Sequence, residues 1–410
     1  IYILLALTFG YTMIVAESAL GRMTRKSPVG AFKAFGKKAG WLSFGGWINA
    51  IIPVLIVPYY SVIGGWVIKY FVEYLKGNGA KLAEDGYFSN FISNGLSTEI
   101  CFIVFCMFTL IIIYAGVRNG IERVSKFMMP ILVVLSVIIA IYSVTRPGAL
   151  AGVKYFLVPN PKNFSWMTVV TAMGQMFYSL SIAMGILVTF GSYMKKDTSI
   201  EDSTRNVEVF DTAIAIMAGL MIIPAVFAFS GGDPDTLQAG PSLMFITIPK
   251  VLANMGFGTA VGILFFVLVL FAAVTSSIAL TESAVSTFED ELGWGRKKAT
   301  VLTGVIMIAL GTLSCLGYGP LDFVKIIGMQ FLDFFDFLTN SVMMPIAALM
   351  TSLLVSRVIG VDKIEEEIRH GESAFRRKKI FVVMIKYLCP IFALIILASS
   401  VANAFGWIAM

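Results

Sequence analysis

Two short stretches put neutral oxygens where a mere membrane anchor would carry leucines. The first, "FYSLSIAMG" at residues 177–185, holds Ser179, Ser181 and Gly185, with Gln175 just upstream. The second, "FAAVTSS" at residues 271–277, holds Thr275 and Ser276 beside the small Ala272. A single hydroxyl in an apolar helix usually bonds the carbonyl four residues back or glues two helices together. Two clusters on separate segments ask for more. Hydroxyls, and carbonyls freed where a helix unwinds, are the uncharged oxygens that a monovalent hard cation such as sodium takes as ligands. Transporters place broken helices of this kind near the bilayer midplane. "SIAMG" predicts a chain that unwinds there and offers amides and carbonyls to a small molecule.

The elements that position these residues follow from composition. Of 410 residues, 58% are hydrophobic and 14% charged, too little polar surface for a soluble core of this size. Apolar runs of roughly 20 residues suffice to cross a bilayer as helices. With short polar loops between them, they predict one all-α polytopic membrane domain over residues 1–410. Spans are expected near 1–20, 47–75, 98–116, 121–145, 167–194, 207–230, 257–290, 298–316, 323–358 and 379–407. Residues 231–256, rich in Gly and Pro, read as a re-entrant or capping loop on the outer face. Alternating the spans puts 23 of the 31 Lys and Arg residues on one side and 8 on the other. The richer side is therefore cytoplasmic and residue 1 lies outside. A chain opening on Ile1, already apolar and outside, predicts at least one further span upstream. Cys101, Cys106, Cys315 and Cys389 lie in apolar segments without metal-ligand spacing, and His370 sits in a charged loop. No paired acid dyad, zinc motif or phosphate-binding glycine loop points to an enzyme, and the small basic excess fits membrane orientation better than nucleic acid.

Several motifs carry a resemblance. "AESALGR" (16–22) with "GAF" (30–32), "IPVLIVPYYSVIGGW" (52–66) and "GIERVSKFMMP" (120–130) occur in that order. "GQMFYSLSIAMGILVTFGSY" (174–193), "FAAVTSSIAL" (271–280) and "FEDELG" (288–293) follow. Together they resemble the second, third, fifth, sixth and eighth helices of the neurotransmitter:sodium symporter family, of the bacterial amino-acid type. The resemblance implies two inverted repeats of five helices with discontinuous first and sixth helices. It starts this chain at the second helix, so that about ten helices are expected and the first is absent. It also implies a sodium-coupled importer of amino acids working by alternating access in the inner (plasma) membrane, with sodium and an amino acid as its small partners.

The resemblance assigns residues as well. Tyr60 would hydrogen-bond the substrate carboxylate and Ile56 would line the side-chain pocket. Tyr178 would form the lid, Ser181 and the backbone near Ala183 would shape the cavity and hold the amino group, and Met184 and Leu280 would close it. One sodium site would use the Ala272 carbonyl with Thr275 and Ser276; the other would use Ser179 and Asp211. Both would be completed by the first helix. Asp336 matches an outer-gate acid, and Asp290, near Tyr193, an inner-gate acid. Glu17, a costly charge inside a span, would support the unwound sixth helix. Tyr2, Gln175 and Ser179 match a chloride site whose fourth position here is Asp211, a fixed negative charge that makes transport chloride-independent. The apolar pocket predicts bulky apolar or aromatic substrates. The competing expectation, should the first helix be naturally lacking, is a channel or a non-transporting membrane scaffold.

Overall fold

Inside a bilayer, backbone amides and carbonyls find no water, so apolar runs this long close into helices. The computed structural model describes residues 1–407 apart from 39, 234–236, 238 and 239. Along the chain run α1 (Tyr2–Thr24), α2 (Gly40–Leu75), α3 (Gly95–Tyr114) and α4 (Val117–Val144). Then come α5 (Trp166–Ser179), α6 (Ile186–Tyr193), α7 (Ile200–Ser230) and α8 (Leu243–Ala253). The chain continues through α9 (Gly258–Leu292), α10 (Arg296–Leu316), α11 (Phe331–Ile359), α12 (Val361–Arg369) and α13 (Lys378–Ala404). Among the described residues nine helices, all but α5, α6, α8 and α12, are long and apolar enough to cross a membrane. The remaining apolar segment, expected as one span over 167–194, is two half-helices, α5 and α6.

Three of the differences from the hydropathy reading have a local cause in the chain. α7 begins at Ile200 rather than near 207, because Ser199 accepts the Asp202 amide at 2.9 Å, and Glu201 and Asp202 occupy the positive first turn. α11 begins at Phe331 rather than 323. Ahead of it Ile326 and Met329 exchange backbone hydrogen bonds of 2.9 Å around Gly328, whose φ of +77° closes a tight turn. The segment expected as a capping loop over 231–256 contains α8, while its residues 234–236, 238 and 239 lie outside the described residues.

α9 lies along α2, α7 along α4, and α6 along α1. The last pair sets the geometry of the break. A Cβ on Gly21 would stand 2.0 Å from the Val188 carbonyl oxygen, and one on Gly191 would stand 2.6 Å from that of Ser18. Only glycines let the two backbones approach so closely. The same α1 is tied at its cytoplasmic end by the fully buried Arg22. Its Nε donates to Glu367 Oε1 of α12 at 2.7 Å, and its Nη1 donates to the Thr198 carbonyl at 2.5 Å. A buried ion pair survives only when its remaining donors are also satisfied, as these are. Nearby Glu365 of α12 sits between Lys378 and Arg369, and the hydrogen bond from Lys378 holds its carboxyl below the usual carboxylate range.

Candidate functional site

The six residues between α5 and α6 decide the shape of the site. Ser181, Ala183 and Gly185 take φ values of +54°, +59° and +71°. Two of the three are not glycine, and each such residue costs about 1–2 kcal/mol in this conformation. Contacts hold them there. The Ala183 amide, freed from helical bonding, donates to Glu17 Oε1 of α1 at 2.9 Å. Glu17 is wholly buried, and its Oε2 has no partner among the described residues. Alanine at 183 therefore does not prevent the break; a carboxylate on α1, 166 residues earlier in the chain, stabilises it.

Against this joint lies a cavity of about 410 Å³. Ile56 and Tyr60 enter it from α2, Gln175, Tyr178 and Ser179 from α5, and Ser181, Met184 and Ile186 from the joint and α6. Thr275, Ser276, Ala279 and Leu280 face it from α9, and Met129 from α4. Tyr60, on α2, and Ser276, on α9, both face this space. Every residue expected in the substrate pocket except Ala183, whose backbone turns towards Glu17, lines this one space.

The two groups expected to hold cations flank the same cavity. On α9 the Thr275 hydroxyl donates to the carbonyls of Phe271, at 3.1 Å, and of Ala272, at 3.0 Å. Among the described residues nothing donates to its lone pairs. Oxygens 3.0 Å apart can share one hard cation, which holds each ligand at about 2.3–2.6 Å as calcium does. Ser276, the next residue, also faces the cavity. In the second group Asp211 accepts from Tyr2 at its Oδ2, 2.6 Å, and from Ser179 at its Oδ1, 2.7 Å. Asp211 is the twelfth residue of α7, inside a continuous helix and not its cap. Gln175, one helical turn before Ser179, lines the cavity beside them.

The gate residues fall differently. Asp336 at its Oδ1 accepts from the Tyr59 hydroxyl at 3.1 Å and from the Asn340 amide at 2.6 Å. Asp290 accepts the Ser27 amide at 2.5 Å, at the start of the short helix Pro28–Lys33. Tyr193, expected beside Asp290, instead donates to Glu282 Oε1 at 2.7 Å. Glu282 is fully buried and paired with Arg296 of α10, at 3.0 and 2.5 Å. Glu282, like Glu17 a charge inside an apolar span, carries the same signal of a costly buried carboxylate in the sequence. Met129 and Ile186 carried no such signal.

Gly185 gives a direct test of the joint. Its φ is +71°, and a Cβ there would come 2.7 Å from the Asn49 carbonyl and 2.8 Å from Pro28 Cγ. Gly185→Ala combines a left-handed penalty with overpacking and is expected to cost about 2–4 kcal/mol. Thermal unfolding in detergent should show a clearly lowered Tm, whereas Ala183→Gly should not. A wild-type Tm for Gly185→Ala would mean that the joint tolerates helix.

The chain's sequence matches the family described as "Sodium:neurotransmitter symporter family" over residues 89–406. It is 34% identical over 377 residues to the sodium-dependent transporter YhdH of Bacillus subtilis, covering 91% of this chain and 82% of that one. A sodium-dependent transporter of Haemophilus influenzae is 30% identical over 409 residues, covering 96% and 88%. Among solved structures, that of MhsT in complex with L-phenylalanine superposes with a TM-score of 0.85 at 32% identity, covering 97% of this chain and 90% of MhsT.

Proposed function

The chain belongs to the sodium:neurotransmitter symporter family, and on that premise we propose that it imports an apolar or aromatic amino acid with sodium, by alternating access and without chloride. Members of this family are membrane transporters rather than enzymes, and bacterial-type relatives place a multi-pass chain of this kind in the plasma membrane. The observation that carries the finer reading is the composition of the cavity at the broken helix. Its volume of about 410 Å³ falls in the range of small-ligand sites, roughly 300–1,000 Å³. Tyr60 and Ser181 offer it hydroxyls beside the unwound backbone, Gln175, Ser179, Thr275 and Ser276 line its cation-facing edges, and Ile56, Met184, Ile186 and Leu280 supply an apolar wall.

On this reading Tyr60 donates to the α-carboxylate, the unwound backbone around Ser181 and Ala183 accepts from the α-ammonium, and the side chain lies on the apolar wall. Tyr178 covers the pocket. Met184, unbranched and polarisable, adapts to side chains of different shape. Sodium binds at Ala272, Thr275 and Ser276 and again beside Ser179 and Asp211. The phenylalanine held by MhsT is a ligand of the size and chemistry this wall would accept.

The test is competition against a labelled apolar amino acid in proteoliposomes. Leucine, phenylalanine and tryptophan should compete about 100-fold better than aspartate or lysine, whose second charge would be buried without a partner at a cost of several kcal/mol. Glycine and GABA should compete poorly, for want of apolar area. Aspartate or lysine outcompeting leucine and tryptophan would overturn the assignment.

A further inference from the structure

The seam between α3 and α10 carries two confluent grooves that lie apart from the transport cavity. One, about 510 Å³, opens between Tyr114, Trp294, Lys297 and Lys298. The other, about 360 Å³, runs on past Met107, Ile111 and Ile308, and Tyr114, Val301 and Val305 line both. The walls are solvent-accessible and apolar: Ile111 is 64% exposed, Val301 61% and Val305 59%. A face like this on a membrane protein meets acyl chains.

Two features make the seam more than a generic lipid face. The first is its length. From Lys298 to Ile308 α10 advances ten residues, about 15 Å at 1.5 Å per residue, which is one leaflet of a hydrocarbon core about 30 Å thick. The second is the charge at its mouth. Arg296 is committed to Glu282, but among the described residues no carboxylate pairs with Lys297 or Lys298. The Lys297 ammonium lies 5.6 Å from the Tyr114 ring centroid. The distribution of basic residues puts this end on the cytoplasmic side, where anionic lipid headgroups attract lysines at about 1 kcal/mol each. A second copy of the chain set across a two-fold axis at this seam would instead bring its own Lys297 and Lys298 against these.

We propose that the α3–α10 seam is a binding site for an anionic phospholipid of the cytoplasmic leaflet. One acyl chain lies along Ile111, Val301 and Val305, and the phosphate sits between Lys297 and Lys298. Trp294, at the mouth, reports occupancy.

The experiment uses the full-length protein in detergent, titrated with phosphatidylglycerol or phosphatidylcholine bearing the same brominated acyl chains. Binding is read as quenching of the fluorescence lost in Trp294→Phe, with bound lipid counted by native mass spectrometry. Phosphatidylglycerol is expected to bind at least about tenfold more tightly than phosphatidylcholine, the equivalent of two lysine contacts. Lys297→Gln/Lys298→Gln should erase the preference, and Val305→Trp, filling the groove, should weaken both lipids. All three substitutions are on the surface, and retained sodium-dependent substrate binding verifies the fold. Equal binding of the two lipids by the wild type would overturn the proposal, as would a preference that survives the double substitution. So would Val301→Cys dimers forming in place of lipid binding, which would give the seam to a second copy.

Discussion

Replacing Thr275 with valine is expected to abolish sodium-dependent substrate binding while leaving the protein folded in its membrane. Valine keeps the branched shape, so packing along α9 is nearly unchanged. What is lost is one oxygen, 3.0 Å from the Ala272 carbonyl, from a set that a cation would share. Water cannot easily replace it in an apolar segment, and an interaction with a full charge is worth about 1.5–3 kcal/mol. Sodium affinity should fall about 10- to 100-fold, and coupled uptake at ordinary sodium should fall with it. Ser276→Ala should act in the same direction. Sodium titrations of substrate binding, with size-exclusion profiles as the folding control, check this. An unchanged sodium dependence in Thr275→Val would reduce this hydroxyl to helix glue, since it also bonds the Phe271 and Ala272 carbonyls of α9.

The second large effect concerns Asp211. Both of its oxygens are occupied by hydroxyls, from Tyr2 and Ser179, and it lies in the middle of α7, where a carboxylate is expensive unless a cation is close. If sodium is that cation, the pair is neutral without any mobile anion, and wild-type uptake should be the same in chloride and in gluconate. Asp211→Asn keeps the size and one acceptor but removes the charge. The variant should be nearly inactive in chloride-free buffer, with partial rescue when chloride supplies the lost charge beside Tyr2, Gln175 and Ser179. Wild-type uptake that collapses in gluconate at constant sodium would show that Asp211 does not play this part.

What could be read from the sequence was whatever depends on local pattern. Period and length gave the helices; the crowding of Ser179, Ser181 and Gly185 marked the joint; the charge of Glu17 marked it again from another helix. What could not be read depends on partners far along the chain. Ser199 turns a polar stretch into the first turns of α7, and hydropathy is blind to a cap. Gly328 closes a turn within the eight residues, 323–330, that precede α11. Tyr193 finds Glu282 rather than Asp290 because α9 carries both carboxylates on different turns, and only the packing of α6 selects between them. Ala183 is the instructive case. Propensity argues against a left-handed alanine, yet the Glu17 hydrogen bond overrides propensity, as tertiary context often does.

The broken helix also bears on how the molecule is assembled. α5 has 14 residues and α6 has 8, about 21 Å and 12 Å at 1.5 Å per residue, so neither half reaches across a bilayer about 30 Å thick. Together they are apolar enough to be threaded in as one segment, but the joint then exposes amides and carbonyls that lipid cannot satisfy. A continuous helix is the cheaper state until α1 arrives with Glu17 for the Ala183 amide and with Gly21, which lets the α6 backbone pack close. Breaking is thus a late act of maturation, carried out on an inserted helix by its neighbours. A chain stalled before the segments dock should carry Ser181 and Ala183 in ordinary helix, and only docking should convert that anchor into a site.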